Sequence, residues 1–170
     1  MSGPPPVVTT ERLRLPLWTA EETADIKAGR HRAHWHPDYP RPDDRDAATL
    51  WRDGDPWGPR HLVRGTTVLG SLGFFGPPAE PEDGSDAPPE AEVGYGLVAQ
   101  ARGWGFATEA LRGLLVETDR LGVKVRASVR PDNRASIRVL ASCGFTELRG
   151  ADEEGHLVMA RPLPVTGAGG

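Results

Sequence analysis

A glycine-punctuated segment, Gln100-Ala101-Arg102-Gly103-Trp104-Gly105, carries residue types that suit a phosphate-bearing ligand. It follows a strand-like run, 92–98, and precedes an amphipathic helix pattern that begins at Phe106. Glycines let a ligand approach the backbone closely, and the N–H groups at a helix start attract anions. We therefore predict that the amides from about Arg102 to Ala107 bind a pyrophosphate. The positive charge of Arg102 would strengthen this binding.

A second segment, about one helix and one strand later, contains Asn133-x-x-Ser136 and ends at Gly144-Phe145. Residues three apart share a helix face, so Asn133 and Ser136 can contact one ligand. Taken alone, Ser136 is equally typical of a helix serine bonded to its own backbone. Two glycines alone are also typical of a plain strand–helix turn.

The remaining patterns predict an α+β fold with a mixed sheet, in which a strand–helix–strand unit positions both segments. A Thr19–Glu22 capping box begins the first helix, and Arg64-Gly65 is a hairpin turn. The predicted strands are 12–17, 61–63, 66–75, 92–98, 123–129, 145–148 and 156–160, and the helices are 19–28, 47–52, 106–121 and 133–143.

One domain is expected over residues 9–162, with flexible tails at 1–8 and 163–170. Residues 77–90 are rich in proline and acid and form a predicted loop insertion. The single cysteine, Cys143, excludes an internal disulfide, which favours a cytoplasmic location. A net charge of −4 and the lack of a long apolar run predict no nucleic-acid or membrane partner. Three histidines within 31–36 are expected to be surface residues, and no metal is expected.

The two segments together resemble the GNAT superfamily of acyl-CoA-dependent N-acetyltransferases. The first fits its Gln/Arg-x-x-Gly-x-Gly/Ala signature, and Asn133-x-x-Ser136 fits its second cofactor segment. Residues 10–15, 92–95 and 105–111 look like the branch that acetylates ribosomal-protein N-termini. The resemblance covers about residues 9–162. It implies the GNAT fold, a central mixed β-sheet of six to seven strands flanked by about four helices.

The resemblance also implies acetyl-CoA as cosubstrate, lying where the central strand splays from the next one. Pantetheine amides would pair with the backbone of Leu97 and Val98, and an N–H near Val98 would polarise the thioester carbonyl. The implied cofactor-binding residues are Leu97, Val98, Gln100, Arg102, Gly103, Trp104, Gly105, Phe106, Ala107, Thr108, Asn133 and Ser136.

Attack by an amine on a thioester needs a base for the ammonium proton and an acid for the thiolate. Glu92 is the candidate base, acting through water because Glu92 and Gly96 are roughly 13 Å apart along a strand. The alternative is an exposed carboxylate at a strand end. By resemblance, Ser136 is the candidate acid, since Leu140 occupies the position of a tyrosine in many family members.

The acceptor is expected to be a primary amine, either a protein N-terminus or a small molecule, and the enzyme a monomer or homodimer. Trp35 and Tyr39 could hold the amine by cation–π contact, or pack in the core. Of the neighbours Phe74 and Phe75, one should face the core and the other the cleft, so Phe75 joins Glu92 as a candidate acceptor contact. A CoA-binding module with little turnover is the alternative function.

Overall fold

The computed structural model describes residues 2–165, and a single mixed sheet of eight strands forms their centre. The predicted α+β fold is confirmed, although the sheet has eight strands where six to seven were expected. The strands are β1 (Val7–Thr9), β2 (Leu13–Pro16), β3 (Arg60–Arg64), β4 (Thr67–Phe74), β5 (Glu90–Leu97), β6 (Lys124–Val129), β7 (Glu147–Ala151) and β8 (Leu157–Arg161). The helices are α1 (Ala20–Ala28), α2 (Pro42–Ala48), α3 (Phe106–Arg120) and α4 (Arg134–Ser142).

The strand order is β1-β2-β3-β4-β5-β6-β8-β7, and β5–β6 is the parallel pair within it. The helix α3 connects these two strands. Their pairing extends only from Glu90 opposite Lys124 to Glu92 opposite Arg126. Since β5 continues to Leu97 and β6 to Val129, the sheet is split beyond Glu92.

The starts of α1, α3 and α4 follow from the local sequence. The capping box of Thr19 and Glu22 is confirmed at α1, and Asn133 caps α4. The exception is α2, which was predicted at 47–52 and begins instead at Pro42. Proline suits the first helical position because its φ is already helical and its missing N–H needs no partner. None of the helices within residues 2–165 is long and apolar enough to cross a membrane.

The N-terminal segment differs from the predicted flexible tail at 1–8. Val7–Thr9 pairs with β2, Val8 is buried, and the indole of Trp57 donates to the Ser2 carbonyl at 3.0 Å. Three residues that alternate after three prolines give too short a pattern to be recognised as a strand. At the other end, residues 163–165 have no regular structure, and the rest of the predicted tail, 166–170, lies outside the described residues.

A buried polar chain connects α1 to β3. The phenol of Tyr39 lies 3.1 Å from Nδ1 of His61, and Nε2 of His61 lies 3.1 Å from the Glu22 carboxylate. Burial alone would raise the pKa of Glu22. The contact with His61 and the Thr19 cap outweigh it and lower the pKa to about 2.

We predict that Glu22→Gln destabilises the fold at neutral pH but not in acid. The pKa of Glu22 is depressed on folding from 4.5 to about 2, so its stabilisation is present above pH 4.5. It is lost as the pH falls from there towards 2. Allowing for solvent contact of the carboxylate, the expected cost at pH 7 is about 1–2 kcal/mol. Urea unfolding of both proteins across this range is the measurement, and a constant difference at every pH would contradict the prediction.

Candidate active site

The glycine turn joins β5 to α3, and its second half leaves the backbone amides unpartnered within the described residues. Gly103 and Gly105 have φ of +85° and +81°, a region that favours glycine. The first helical bond of α3 runs from the Glu109 N–H to the Gly105 carbonyl. Within residues 2–165 none of the six N–H groups of 103–108 donates to a protein acceptor, whereas the Arg102 N–H donates to Ala99. Six free amides at a helix start can bind a pyrophosphate.

The side chain of Arg12, which lies between β1 and β2, holds this turn in place. Arg12 pairs with Glu109 at 2.6 Å, and its Nη1 donates to the Trp104 carbonyl at 3.1 Å. Its guanidinium also lies 4.7 Å from the centre of the Phe106 ring. The roles of Arg12 and Glu109 were not predictable, because nothing in one sequence indicates a contact across 97 positions.

We predict that Arg12→Gln weakens binding of acetyl-CoA, the cosubstrate expected from the sequence, by about five- to tenfold, an effect typical of losing a charge-assisted contact. The physical reason is that the turn loses the contacts of Arg12 with Glu109 and with the Trp104 carbonyl, so that its amides are no longer held in one arrangement. The measurement is the KM for acetyl-CoA, with the KM for the amine as reference. Arg14→Gln, an exposed change two residues further along the chain, is the matched control. Equal KM values in both variants would contradict the prediction.

At the edge of β5 that faces the split, the backbone N–H and carbonyl groups come from every second residue. The Val98 N–H donates to Leu69 and the Glu92 carbonyl accepts from Phe75, so the even-numbered residues hydrogen-bond to β4. Backbone groups alternate sides along a strand, so those of Val93, Tyr95 and Leu97 face the split.

This alternation corrects the role expected for Val98. Its N–H donates to the Leu69 carbonyl at 2.9 Å and its carbonyl accepts from Ala101 at 3.0 Å, so neither group faces the split. The Leu97 carbonyl accepts from Nη2 of Arg102 at 3.2 Å. The N–H groups of Tyr95 and Leu97 are therefore the donors available at this edge.

On the α4 side of the split, Tyr95 and Ser136 form a hydrogen-bonded pair. The phenol oxygen lies 2.7 Å from the Ser136 Oγ, and burial raises the pKa of Tyr95 to about 12. The tyrosine therefore stays protonated at neutral pH and can act as a donor. Oδ1 of Asn133 accepts from the Ser136 N–H at 3.1 Å, so this residue also has a structural role as helix cap. Tyr95 was not assigned to the site from sequence, although it lies in the quoted run 92–95.

The opposite face of the sheet carries Glu92, on β5, and Phe75, which directly follows β4. The Glu92 carboxylate accepts from Nε of Arg126 at 3.2 Å, at the last paired position before the split. Phe74 is buried and Phe75 is 53% exposed, which confirms that the two neighbours point in opposite directions. The Phe75 ring lies on Gly94, where a Cβ would come within 2.8 Å of it.

One cavity of about 950 Å³ is lined from both faces of the sheet through the split. Of the predicted site residues it brings together Glu92, Phe75, Asn133 and Ser136. The side chains of Gln100, Trp104 and Phe106 line a smaller cavity of about 290 Å³. The groups that the turn itself leaves available to a ligand are its backbone amides.

Trp35 and Tyr39 do not line either cavity, which corrects their assignment to the acceptor site. They are 4% and 1% exposed, and their rings pack edge-to-face with centroids 5.2 Å apart. Trp18 and His61 complete the cluster. The structure therefore matches the alternative considered from sequence, packing in the core.

Comparison with known proteins places this geometry in a family. The family model for an acetyltransferase (GNAT) domain matches residues 12–146. No curated protein sequence matches the chain at a significant level.

Among solved structures, a putative GnaT-family acetyltransferase from Bordetella pertussis is 25% identical, with a TM-score of 0.60 over 92% of this chain and 99% of its own. RimJ from Mycobacterium smegmatis, in complex with CoA-disulfide, is 23% identical, with a TM-score of 0.60 over 94% and 89%. A putative ribosomal-protein-serine acetyltransferase from Vibrio cholerae is 18% identical, with a TM-score of 0.64 over 96% and 100%.

Proposed function

Because the chain belongs to the GNAT acetyltransferases, we propose that it transfers an acetyl group from acetyl-CoA to a primary amine by direct attack. The observation that carries this proposal is the cavity through the sheet. It brings the free edge of β5 and the Tyr95–Ser136 pair on one side together with Glu92 and Phe75 on the other. RimJ, which shares the fold, was solved with CoA-disulfide, and this supports a CoA thioester as donor.

The donor approaches from the α3–α4 side. The six free amides of 103–108 bind its pyrophosphate, and the amide groups of its pantetheine arm pair with the free edge of β5 as an added strand would. An N–H of Tyr95 or Leu97 then polarises the thioester carbonyl. Val98 has no part in this arrangement.

The acceptor approaches from the Glu92 face. Its ammonium loses a proton to Glu92 through water, and the free amine attacks the carbonyl carbon. The carbon–sulfur bond breaks and the thiolate accepts a proton from the Ser136 hydroxyl, whose oxygen is hydrogen-bonded to Tyr95. The attacking nitrogen loses its remaining extra proton as the amide forms, and this proton restores the serine hydroxyl through water. Holding the amine and the thioester together supplies much of the rate enhancement.

The acceptor is a protein N-terminal amine or a small-molecule amine. The family branch supports the first, since structures of the same fold include ribosomal-protein acetyltransferases. The volume of the cavity accommodates either a peptide end or a compact small molecule.

A CoA-binding module with little turnover is the second candidate. Leu140 favours it, because this buried side chain lines the cavity where many family members have a tyrosine that could protonate the thiolate.

The test is release of free CoA thiol from acetyl-CoA in the presence of a panel of amines, with mass spectrometry of the products. We expect at least one amine to be acetylated and thiol to appear in equal amount. Tight binding of acetyl-CoA without acetylation of any amine would replace the enzyme proposal with the binding-module alternative.

A further inference from the structure

Two side chains cover glycines of β5, on the face of the sheet that carries Glu92. Phe75 covers Gly94 and the guanidinium of Arg41 covers Gly96, where a Cβ would overlap Nη1 of the arginine. Because strand residues two apart are roughly 7 Å apart, Glu92, Phe75 and Arg41 form a row along the strand. All three line the large cavity.

Arg41 is fixed in this position by a buried carboxylate. Asp44, with a fully buried side chain, accepts from Nε of Arg41 at 3.1 Å and from Nη2 at 3.0 Å. It also accepts from the backbone N–H of Arg41 and from the hydroxyl of Ser71. A buried charge is tolerated when it is paired and hydrogen-bonded in this way.

One nitrogen of this arginine is not used by the protein. Nη1 donates to no acceptor within residues 2–165, and the side chain retains 16% exposure where it lines the cavity. A guanidinium held flat by a glycine and a carboxylate loses little entropy when it donates again. It therefore presents a preformed donor for an oxygen atom.

The other charged groups that line the cavity restrict which ligands can place an oxygen atom at Arg41. The same cavity is lined by the arginines Arg126 and Arg130 and by a larger number of carboxylates, Asp43, Asp46, Asp152, Glu153 and Glu154. These attract an ammonium group and repel a compound that carries only negative charge. The ligand that satisfies both features has an amine close to a carbonyl or carboxylate oxygen.

We propose that Arg41 binds the carbonyl or carboxylate oxygen next to the reacting amine, so that the acceptors are 2-amino acyl compounds. This inference rests on the proposed function and specifies its substrate class. The shared chemistry is an amine and an oxygen on adjacent carbons, which a peptide N-terminus and a free amino acid both provide. Simple alkylamines lack the oxygen.

The test compares kcat/KM for three amines with the same carbon branching: alaninamide, alanine and isopropylamine, repeated in the phenylalanine series. We expect the compounds with an oxygen to exceed the simple amine by about ten- to a hundredfold, the range for a hydrogen bond to a charged donor. A preference for the amide indicates a peptide N-terminus, and a preference for the acid indicates a free amino acid. Equal values for all three overturn the proposal.

The key variant is Arg41→Gln combined with Asp44→Asn, which removes both charges and leaves no buried carboxylate unpaired. It should raise the KM for the preferred compound about tenfold or more, leave the KM for acetyl-CoA unchanged and lower kcat/KM for isopropylamine far less. Gly96→Ala, which displaces the guanidinium without removing it, should act in the same direction. The control is Arg45→Gln, an exposed arginine on the same helix. An equal loss for all three amines indicates a structural role and overturns the proposal.

Calorimetry separates this inference from the proposed function. Alaninamide and alanine are titrated into the wild-type protein and the double variant, each with CoA present. Weaker binding to the variant supports the role of Arg41 even if no amine is acetylated, in which case the proposed function alone fails. Identical affinities, or no binding to the wild-type protein, overturn the assignment of Arg41.

Discussion

Replacing Ser136 by alanine is expected to lower kcat about a hundredfold while leaving the KM for acetyl-CoA within twofold. The proposed role of its hydroxyl is to donate to the departing sulfur, and loss of a general acid typically costs 10²–10⁴-fold. The helix cap survives, because Asn133 accepts from the backbone N–H of this residue and not from its side chain. Steady-state kinetics with saturating amine measure the effect.

The matched control is Ser142→Ala, an exposed change at the far end of the same helix. It should leave kcat and both KM values unchanged. A loss of kcat in Ser136→Ala that is rescued by thioesters with a more acidic leaving thiol would support the acid role, since such thiols leave without assistance. The same loss for every leaving group would contradict it.

Glu92→Gln is expected to have the second large effect, a decrease in kcat of about a hundredfold. Glutamine keeps the size of the side chain and can still accept from Arg126, but it cannot take a proton. The variant should bind acetyl-CoA as the wild-type protein does, because the proposed donor contacts lie on the other side of β5. The measurement is kcat across the pH range in which the wild-type enzyme is stable.

Glu90 provides an unusually close control for this variant. It lies two residues earlier on the same strand and pairs with the same arginine, Arg126, at 2.8 Å, but it does not line the cavity. Burial alone would raise the pKa of Glu90, and Arg149 and Arg126 outweigh it and lower it. Glu90→Gln should therefore change stability more than kcat. Equal losses of kcat in both variants would contradict the base role, because they would reflect only the shared ion-pair network.

Features that depend on neighbouring residues were predictable from the sequence. The capping box at Thr19, the turn at Gly65 and the positive φ of Gly103 and Gly105 each follow from the chemistry of a few adjacent positions. The glycine turn and Asn133-x-x-Ser136 identified the family because two local patterns occurred in the right order.

Features that depend on register or on distant contacts were not predictable. The pairing of β5 with β4 decides which backbone groups of β5 face the split. The hydrogen bonds of Val98 to Leu69 and Ala101 were therefore visible only in the structure. An aromatic residue such as Trp35 can equally pack in a core or line a site, and the surrounding sequence does not distinguish these two roles. The role of Arg41 depends on a glycine 55 positions away in the sequence, at Gly96.

Initial-rate kinetics with both substrates varied test the central claim, direct attack within the split, most directly. If the amine and acetyl-CoA meet in one cavity, double-reciprocal lines at different amine concentrations intersect, and no thiol is released until an amine is present. Parallel lines, with a burst of thiol and an acetylated protein in the absence of amine, are the fingerprint of a covalent intermediate. That result would contradict direct attack and require a nucleophile on the enzyme.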